Sequence, residues 1–146
     1  MAFKATIEAN QQTAHCYQKG LKALRSYSNK VKPQHPRNVN GSVNLETCLP
    51  EPEHGEGRWD YMVGYNEEAY FIEVHPADSK NVDEVIKKAK WLYQWLKDNP
   101  DIKALQAEND PFRWVATNGV NISTKHQFRL AQEAGIGPPK NHRTLP

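Results

Sequence analysis

Three ionisable side chains stand beside apolar runs that are expected to form the centre of a sheet. Glu73 and His75 directly follow Tyr70–Ile72, and Asp60 directly precedes Tyr61–Tyr65. In a strand, residues two apart point to the same side, so Glu73 and His75 are predicted to lie on one face. A carboxylate and an imidazole held side by side can bind a cation or move a proton.

The two apolar runs are predicted to form an antiparallel hairpin, with strands over 58–65 and 69–75. Because the strands run in opposite directions, the start of the first lies across from the end of the second, and Asp60 is expected to reach Glu73 and His75. Two converging carboxylates repel each other unless a proton or a cation lies between them. Oxygen ligands without thiolates suit Mg²⁺ or Mn²⁺, and magnesium commonly shares its coordination with substrate phosphates. The pattern therefore indicates a site for phosphodiesters.

Periodicity in the sequence predicts the elements that position these residues. A first helix is expected over 4–27 and a strand over 42–49, and a long helix follows the hairpin with Asn81 as its N-cap. A strand over 112–117 and a last helix from about 123 to 134 complete the order α-β-β-β-α-β-α. A strand, a long helix and a strand in succession predict that these two strands are parallel.

Glu73 and His75 also have an interpretation that needs no function, as the solvent-exposed face of an antiparallel hairpin. Against it, a strand that leads into a crossover helix is expected inside the sheet, where a carboxylate is costly unless it is paired or bound to a metal. Asp60 alone is typical of the start of a strand. Its pairing with Glu73 is what makes it a candidate site residue.

The order of elements, with Trp59-Asp60 at the start of the second strand and Glu73-Val74-His75 in the third, resembles the restriction-endonuclease-like, or PD-(D/E)XK, nuclease superfamily. The resemblance covers about residues 4 to 120. It implies an α/β fold with a mixed sheet, in which an αβββαβ core is followed by a C-terminal helix. It also implies that Asp60, Glu73 and the backbone carbonyl of Val74 hold Mg²⁺ or Mn²⁺.

The chain departs from the family pattern at two positions. Trp59 stands where the family often has proline, and His75 stands where it has a lysine that helps to activate the attacking water. Lysines of the next helix, or one just before it, could substitute from another direction, and these are Lys80, Lys87, Lys88 and Lys90. Some members add an acidic or amide residue of the first helix, for which the candidates are Glu8, Gln11 and Gln12.

The resemblance implies a metal-dependent nuclease that hydrolyses phosphodiester bonds in DNA or RNA, with Asp60, Glu73 and His75 as catalytic residues. One alternative is a catalytically degenerate protein of the same fold that binds nucleic acid or protein. Another is a small partner or immunity-type protein whose interface is the helix carrying Trp91 and Trp95, with a homodimer among the expected assemblies. The two tryptophans also fit a core position, which is the preferred interpretation.

The composition is typical of a globular chain, since 38% of the 146 residues are hydrophobic and 25% are charged. It predicts one domain over 1–146 with an irregular tail over 135–146. The net charge of +2 does not by itself indicate nucleic-acid binding. No apolar run reaches the length of a membrane span, and the first residues lack the apolar segment of a signal peptide, so a cytoplasmic protein is expected.

The two cysteines are Cys16, on the predicted first helix, and Cys48, on the predicted strand, and they match no CxxC pattern. In a reducing compartment, two ordinary thiols are expected rather than a disulfide. A nucleophile and base pair of Cys48 and His54 carries little weight because nothing in the sequence orients it. The six histidines show no HxH or HExxH spacing, so a zinc site is not expected.

Overall fold

The computed structural model describes residues 2–51, 57–122 and 125–146, with all of their side chains except that of Asn118. Helices α1 to α5 span Ala2–Ala9, Leu45–Cys48, Val82–Asp98, Pro100–Lys103 and Lys125–Glu133, and two 3₁₀ helices span Lys22–Lys30 and Pro36–Asn38. Strands β1 to β6 span Val31–Pro33, Val39–Asn44, Tyr61–Tyr65, Glu68–Asp78, Phe112–Asn121 and Arg143–Leu145. Within these described ranges, no helix is both long enough and apolar enough to cross a membrane.

The main sheet has four strands in the order β2-β3-β4-β5. Strands β2, β3 and β4 are antiparallel neighbours, and β5 lies parallel to β4. The connection between the two parallel strands contains α3, as the sequence predicts. Strands β1 and β6 form a second, two-stranded parallel sheet. The protein is therefore a mixed α/β structure with a mixed sheet.

Apolar side chains cover both faces of the main sheet. On one face, Phe3 of α1 and Phe71 of β4 belong to a core that α3 completes. On the other face, Leu24 of the first 3₁₀ helix packs with Ile72 of β4. Each large apolar side chain buried in these layers contributes about 1.5–3 kcal/mol. Because β4 is internal and covered on both faces, the side of the hairpin that carries Glu73 is not the solvent-exposed face of the alternative interpretation.

The hairpin formed by β3 and β4 sets the register of the acidic residues. The two turn residues, Asn66–Glu67, have φ values of 53° and 62°, and this left-handed conformation gives a two-residue turn whose twist matches that of the strands. The pairing runs from the turn to Tyr61, which lies opposite Ile72. One residue further along, the same register places Asp60 opposite Glu73.

The helix predicted over 4–27 is wrong beyond α1. The side-chain oxygen of Asn10 accepts the backbone N–H of Gln12 at 2.9 Å, and such local bonds compete with helical ones. The apolar residues assigned to one helical stripe also belong to two different cores. Ile7 packs on one face of the main sheet and Leu24 on the other, which a single straight helix does not allow.

Several predicted strand boundaries are wrong as well, and two of them have a clear physical reason. The strand predicted over 42–49 ends at Asn44, whose side-chain oxygen accepts the N–H of Thr47 at 3.1 Å and caps α2. Strand β4 does not end at Pro76, as predicted, but continues to Asp78. A shift in the pairing with β5 at this proline accommodates its missing N–H.

The C-terminal segment is more ordered than the irregular tail predicted over 135–146. Strand β6 pairs with β1, and its Arg143 and Leu145 are buried. The guanidinium of Arg113 in β5 also donates to the carbonyl of Thr144 at 2.8 Å. The end of the chain is thus part of the packing beneath the main sheet. The last predicted helix is observed as α5, and residues 123 and 124 at its predicted start lie outside the described ranges.

Cys16 and Cys48 form a disulfide, so the prediction of two free thiols is wrong. Neither cysteine lies on the element predicted for it, because Cys16 follows a series of turns after α1 and Cys48 is the last residue of α2. The fold brings their Cα atoms to 5.9 Å across 32 residues of sequence, a separation that disulfides span. Local spacing carries no information about such a long-range contact.

Gly64 of β3 leaves room for the aromatic ring of Phe3, and this close packing can be tested. A Cβ atom at position 64 would lie 2.4 Å from the ring. We expect Gly64→Ala to lower the free energy of unfolding by about 2 kcal/mol, a typical cost of overpacking a core. Since Phe3→Ala removes the ring, the double variant is expected to be more stable than the sum of the two single effects. Urea unfolding measures all four proteins, and additive effects would contradict the contact.

Candidate functional site

Backbone N–H groups orient the carboxylates of Asp60 and Glu73 across the hairpin. The backbone N–H of Asp60 donates to Glu73 Oε1 at 3.1 Å, and the backbone N–H of Val74 donates to Asp60 Oδ2 at 3.0 Å. Glu73 is fully buried and Asp60 is 9% exposed. Each carboxylate is therefore oriented by the opposite strand, and one oxygen of each remains for a cation.

Lys88 of α3 supplies that cation. Its ammonium group donates to Asp60 Oδ1 at 3.1 Å and to Glu73 Oε2, so it bridges the two carboxylates. The Lys88 side chain is 9% exposed. Its aliphatic stem lies against Gly57, where a Cβ atom would come to 3.0 Å from the stem, so the absence of a side chain lets the backbone approach. Three buried charges in contact are tolerated because each of them is paired.

The structure separates Lys88 from the three other lysines considered from the sequence. Lys87 and Lys90 have exposed side chains on α3, and Lys80 is exposed just before this helix. Lys88 instead lies one helical turn before Leu92 and shares its buried face. A lysine inside an apolar helical stripe is the signal in the sequence that distinguishes it.

His75 extends the cluster toward the start of α3. Its Nδ1 lies 3.4 Å from Glu73 Oε2, and its Nε2 lies 2.8 Å from Asn81 Oδ1. The side-chain amide of Asn81 in turn donates to Asp78 Oδ1 at 2.7 Å, which turns the Asn81 oxygen toward the imidazole. Both ring nitrogens therefore face acceptors, and the imidazolium form satisfies both. Asn81 is the N-cap residue of α3, as predicted, but its side chain makes no capping bond and contacts His75 instead.

The electrostatic surroundings shift the protonation equilibria of the cluster. Burial, followed by the charge of Glu73, raises the pKa of Asp60 from 3.8 to about 7, even though Lys88 opposes the shift. Burial lowers the pKa of Lys88, but the charges of Glu73 and Asp60 outweigh it and the net shift is upward. The contact with Glu73 raises the pKa of His75 against the effect of burial. Because the folded pKa of Asp60 exceeds its unfolded value, its contribution to stability decreases as the pH rises from about 4 to about 7.

A cavity of about 410 Å³ borders this cluster, within the size range of small-molecule sites. Asp60, His75 and Lys88 line it, whereas the fully buried Glu73 lies behind them. The other lining residues come from five separate parts of the chain. They are Tyr27, Glu46, Gly57, Arg58, Tyr61, Val74 and Glu84. The carboxylate of Asp60 and the ammonium of Lys88 can therefore be reached from the cavity.

The predicted contributors from the first helix do not line this cavity. Glu8 and Gln11 are exposed, and the side chain of Gln12 accepts the indole N–H of Trp95 at 2.8 Å. Glu46 of α2, an acidic residue that was not predicted for the site, lines the cavity instead. It was missed because its segment was predicted to continue a strand, and no local pattern brings it near the hairpin. His54 lies outside the described residues.

The donor set suits a hard divalent cation. One oxygen from Asp60 and one from Glu73 meet at the point that the Lys88 ammonium occupies, and both are carboxylate oxygens, which Mg²⁺ and Mn²⁺ prefer. A metal ion at this point would take the place of the ammonium. A cation and Lys88 are therefore expected to compete for the same two oxygens.

Comparisons of the chain with models of protein families, with curated proteins and with solved structures found no match. The functional interpretation therefore rests on the geometry and the chemistry of the cluster.

Lys88→Met tests whether the ammonium holds the two carboxylates together. The variant leaves two buried carboxylates without a cation, and we expect the free energy of unfolding near pH 8 to fall by about 3 kcal/mol. The loss is expected to be smaller near pH 5, because protonation of a carboxyl group removes the repulsion. Urea unfolding at both pH values measures the difference.

Lys87→Met on the same helix is the matched control. Its side chain is exposed, so its effect is expected to stay within about 0.5 kcal/mol. A Lys88→Met variant that is as stable as this control at both pH values would contradict the buried ion cluster.

Proposed function

We propose that this protein is a metal-dependent phosphodiester hydrolase of the nuclease type, acting on DNA or RNA. The observation that carries the proposal is the convergence of Asp60 and Glu73 on one point beside a cavity, with Lys88 between them. Ionisable groups whose pKa values are shifted by burial and by each other, and that border a cleft, are typical of active sites. A carboxylate pair of this kind suits a divalent ion and a phosphate.

The order of strands supports an assignment to the restriction-endonuclease-like fold. Strands β2, β3 and β4 form an antiparallel meander after α1, and α3 then leads to the parallel strand β5. This agrees with the αβββαβ order that the resemblance implies. Asp60 directly precedes the second strand of this meander, and Glu73 lies in the third. Strands β1 and β6, the short helices α2 and α4 and the 3₁₀ helices are additions outside that order.

Asp60, Glu73 and the backbone carbonyl of Val74 would hold Mg²⁺ or Mn²⁺. When bound, such an ion supplies Lewis-acid stabilisation of phosphate charge and activates a water molecule for attack on phosphorus. Asp60 lines the cavity, and the fully buried Glu73 lies behind Asp60. A cation held by these residues would lie within reach of a phosphodiester in the cavity.

Lys88 takes the role that the family pattern gives to a lysine of the third strand. It reaches the carboxylates from α3, and it is one of the residues that line the cavity. If a divalent ion took over the two carboxylate oxygens, the Lys88 ammonium could donate to a phosphate oxygen instead. His75 is held by Glu73 and Asn81, and the hydrogen bond with Glu73 raises its pKa, which favours a second positive charge at the same wall.

A second candidate is a non-catalytic binding module with the same fold. It is favoured by the fact that Lys88 already satisfies both carboxylates without a metal. A buried cluster of one lysine and two acids can serve the specificity of the fold rather than catalysis. The two candidates differ in their response to divalent ions.

Cleavage assays test the catalytic proposal. The purified protein is expected to cleave single-stranded or double-stranded DNA or RNA with Mg²⁺ or Mn²⁺ present, and a chelator is expected to abolish cleavage. Asp60→Ala and Glu73→Ala each remove one of the proposed metal ligands, and we expect either change to lower kcat/KM by at least about 100-fold. Lys88→Met is expected to cause a loss of about 100-fold, and Lys87→Met is the control that retains activity.

Circular dichroism of each variant separates a loss of catalysis from a loss of folding. Lys88→Arg, which keeps the positive charge, serves as a second test of the same position. If none of the four substrates is cleaved with either metal, the catalytic proposal fails. Metal-independent binding of nucleic acid by the same protein, measured by fluorescence anisotropy, would then support the binding module.

Thermal unfolding with Mn²⁺ tests the metal site itself. Because a proton on Asp60 competes with the ion, and the pKa of Asp60 is about 7, we expect Mn²⁺ to raise the Tm little near pH 6 and more near pH 8. The increase is expected to disappear in Asp60→Ala. An increase that does not depend on pH, or that persists in this variant, would place the ion elsewhere.

A further inference from the structure

A second group of metal-ligating side chains lies outside the proposed active site. One ligand atom each from His15, Cys16 and Cys48 lies within 4.8 Å of the other two. Cys16 and Cys48 are joined by the disulfide, both are partly buried, and His15 is exposed. None of the three lines the cavity beside Asp60.

We propose that reduction of the Cys16–Cys48 disulfide creates a site for a thiophilic divalent metal ion such as Zn²⁺. Two thiolates and an imidazole are a typical set of zinc ligands. Because His15 is exposed, a water molecule could enter from its side of the site as the fourth ligand and complete a tetrahedron. Sulfur in the disulfide carries no thiolate charge and is a poor ligand. The site therefore exists only in the reduced protein.

The chemistry requires a dithiol reductant. Its two thiols reduce the bond between the two cysteine sulfurs, and two cysteine thiols form. The reductant is oxidised to its own disulfide in the same exchange. Binding of Zn²⁺ then forms two zinc–sulfur bonds and releases two protons. With Zn–S bonds of about 2.3 Å, the two sulfurs lie about 3.8 Å apart in a tetrahedral site.

Backbone contacts that do not involve the disulfide hold the two cysteines near each other. The N–H of Cys16 donates to the carbonyl of Thr13 at 2.9 Å, and two residues further on Gln18 exchanges backbone bonds of 2.9 and 2.8 Å with Ser42. Ser42 lies on β2, which leads directly into the helix that ends at Cys48. The two segments thus remain paired after reduction, and the ligands stay close.

The start of the helix that carries Cys48 is also anchored. The backbone N–H of Leu45 donates to the carbonyl of Asp60 at 2.8 Å, and the Asn44 side chain caps the same helix. Only rotation of the cysteine side chains is therefore needed to open the sulfur pair for a metal ion. The His15 ligand directly precedes Cys16 in the chain and moves with it.

Zinc titration of the full chain in two redox states tests this proposal. After reduction with a dithiol and removal of the reductant, calorimetry is expected to show one Zn²⁺ bound per chain, and Co²⁺ is expected to give a thiolate charge-transfer absorption band. The oxidised chain is expected to show neither signal. Cys16→Ser and Cys48→Ser are each expected to abolish the cobalt band, and His15→Ala is expected to weaken Zn²⁺ binding by at least about tenfold.

Two controls keep the test independent of folding and of the proposed nuclease activity. His142→Ala changes another exposed histidine and is expected to leave Zn²⁺ binding unchanged. Asp60→Ala is expected to keep the zinc site, so a failure of the nuclease proposal does not affect it. The proposal is overturned if the oxidised chain binds Zn²⁺ equally well, if binding survives in the cysteine variants, or if His15→Ala has no effect.

Discussion

The structure depends on one buried electrostatic arrangement, the ammonium of Lys88 held between the carboxylates of Asp60 and Glu73. Without a cation between them, the ionised carboxylates of Asp60 and Glu73 would repel each other inside the protein. Burial and the charge of Glu73 destabilise the ionised form of Asp60 and raise its pKa to about 7. The lysine stabilises the pair in the folded protein, and a divalent ion that replaced it would do the same.

Several elements must be placed correctly for these three groups to meet. The two-residue turn between β3 and β4 sets the register that brings Asp60 opposite Glu73. The apolar stripe of α3 packs on the same face of the sheet and turns Lys88 toward the acids, while Gly57 gives its stem room. The parallel pairing of β5 makes β4 an internal strand, so Glu73 is fully buried. Fold and candidate site are thus consequences of the same contacts.

The features predicted from the sequence are those that local patterns determine. The hairpin, α3, the parallel β5 and the meeting of Asp60 with Glu73 all follow from alternation, helical spacing and a short turn. The predicted first helix is wrong beyond α1 because its apolar residues contact two opposite faces of the sheet. The Cys16–Cys48 bond and the pairing of β6 with β1 join distant segments, and no local pattern encodes them. Lys88 was one of four candidates, and only its place in the buried stripe distinguishes it.

Anomalous diffraction from crystals soaked with Mn²⁺ tests the central claim most directly. The account predicts an anomalous peak between the carboxylates of Asp60 and Glu73, with the Lys88 ammonium displaced toward the cavity. An unchanged contact of Lys88 with both acids, with no manganese bound there at saturating concentration, would contradict it.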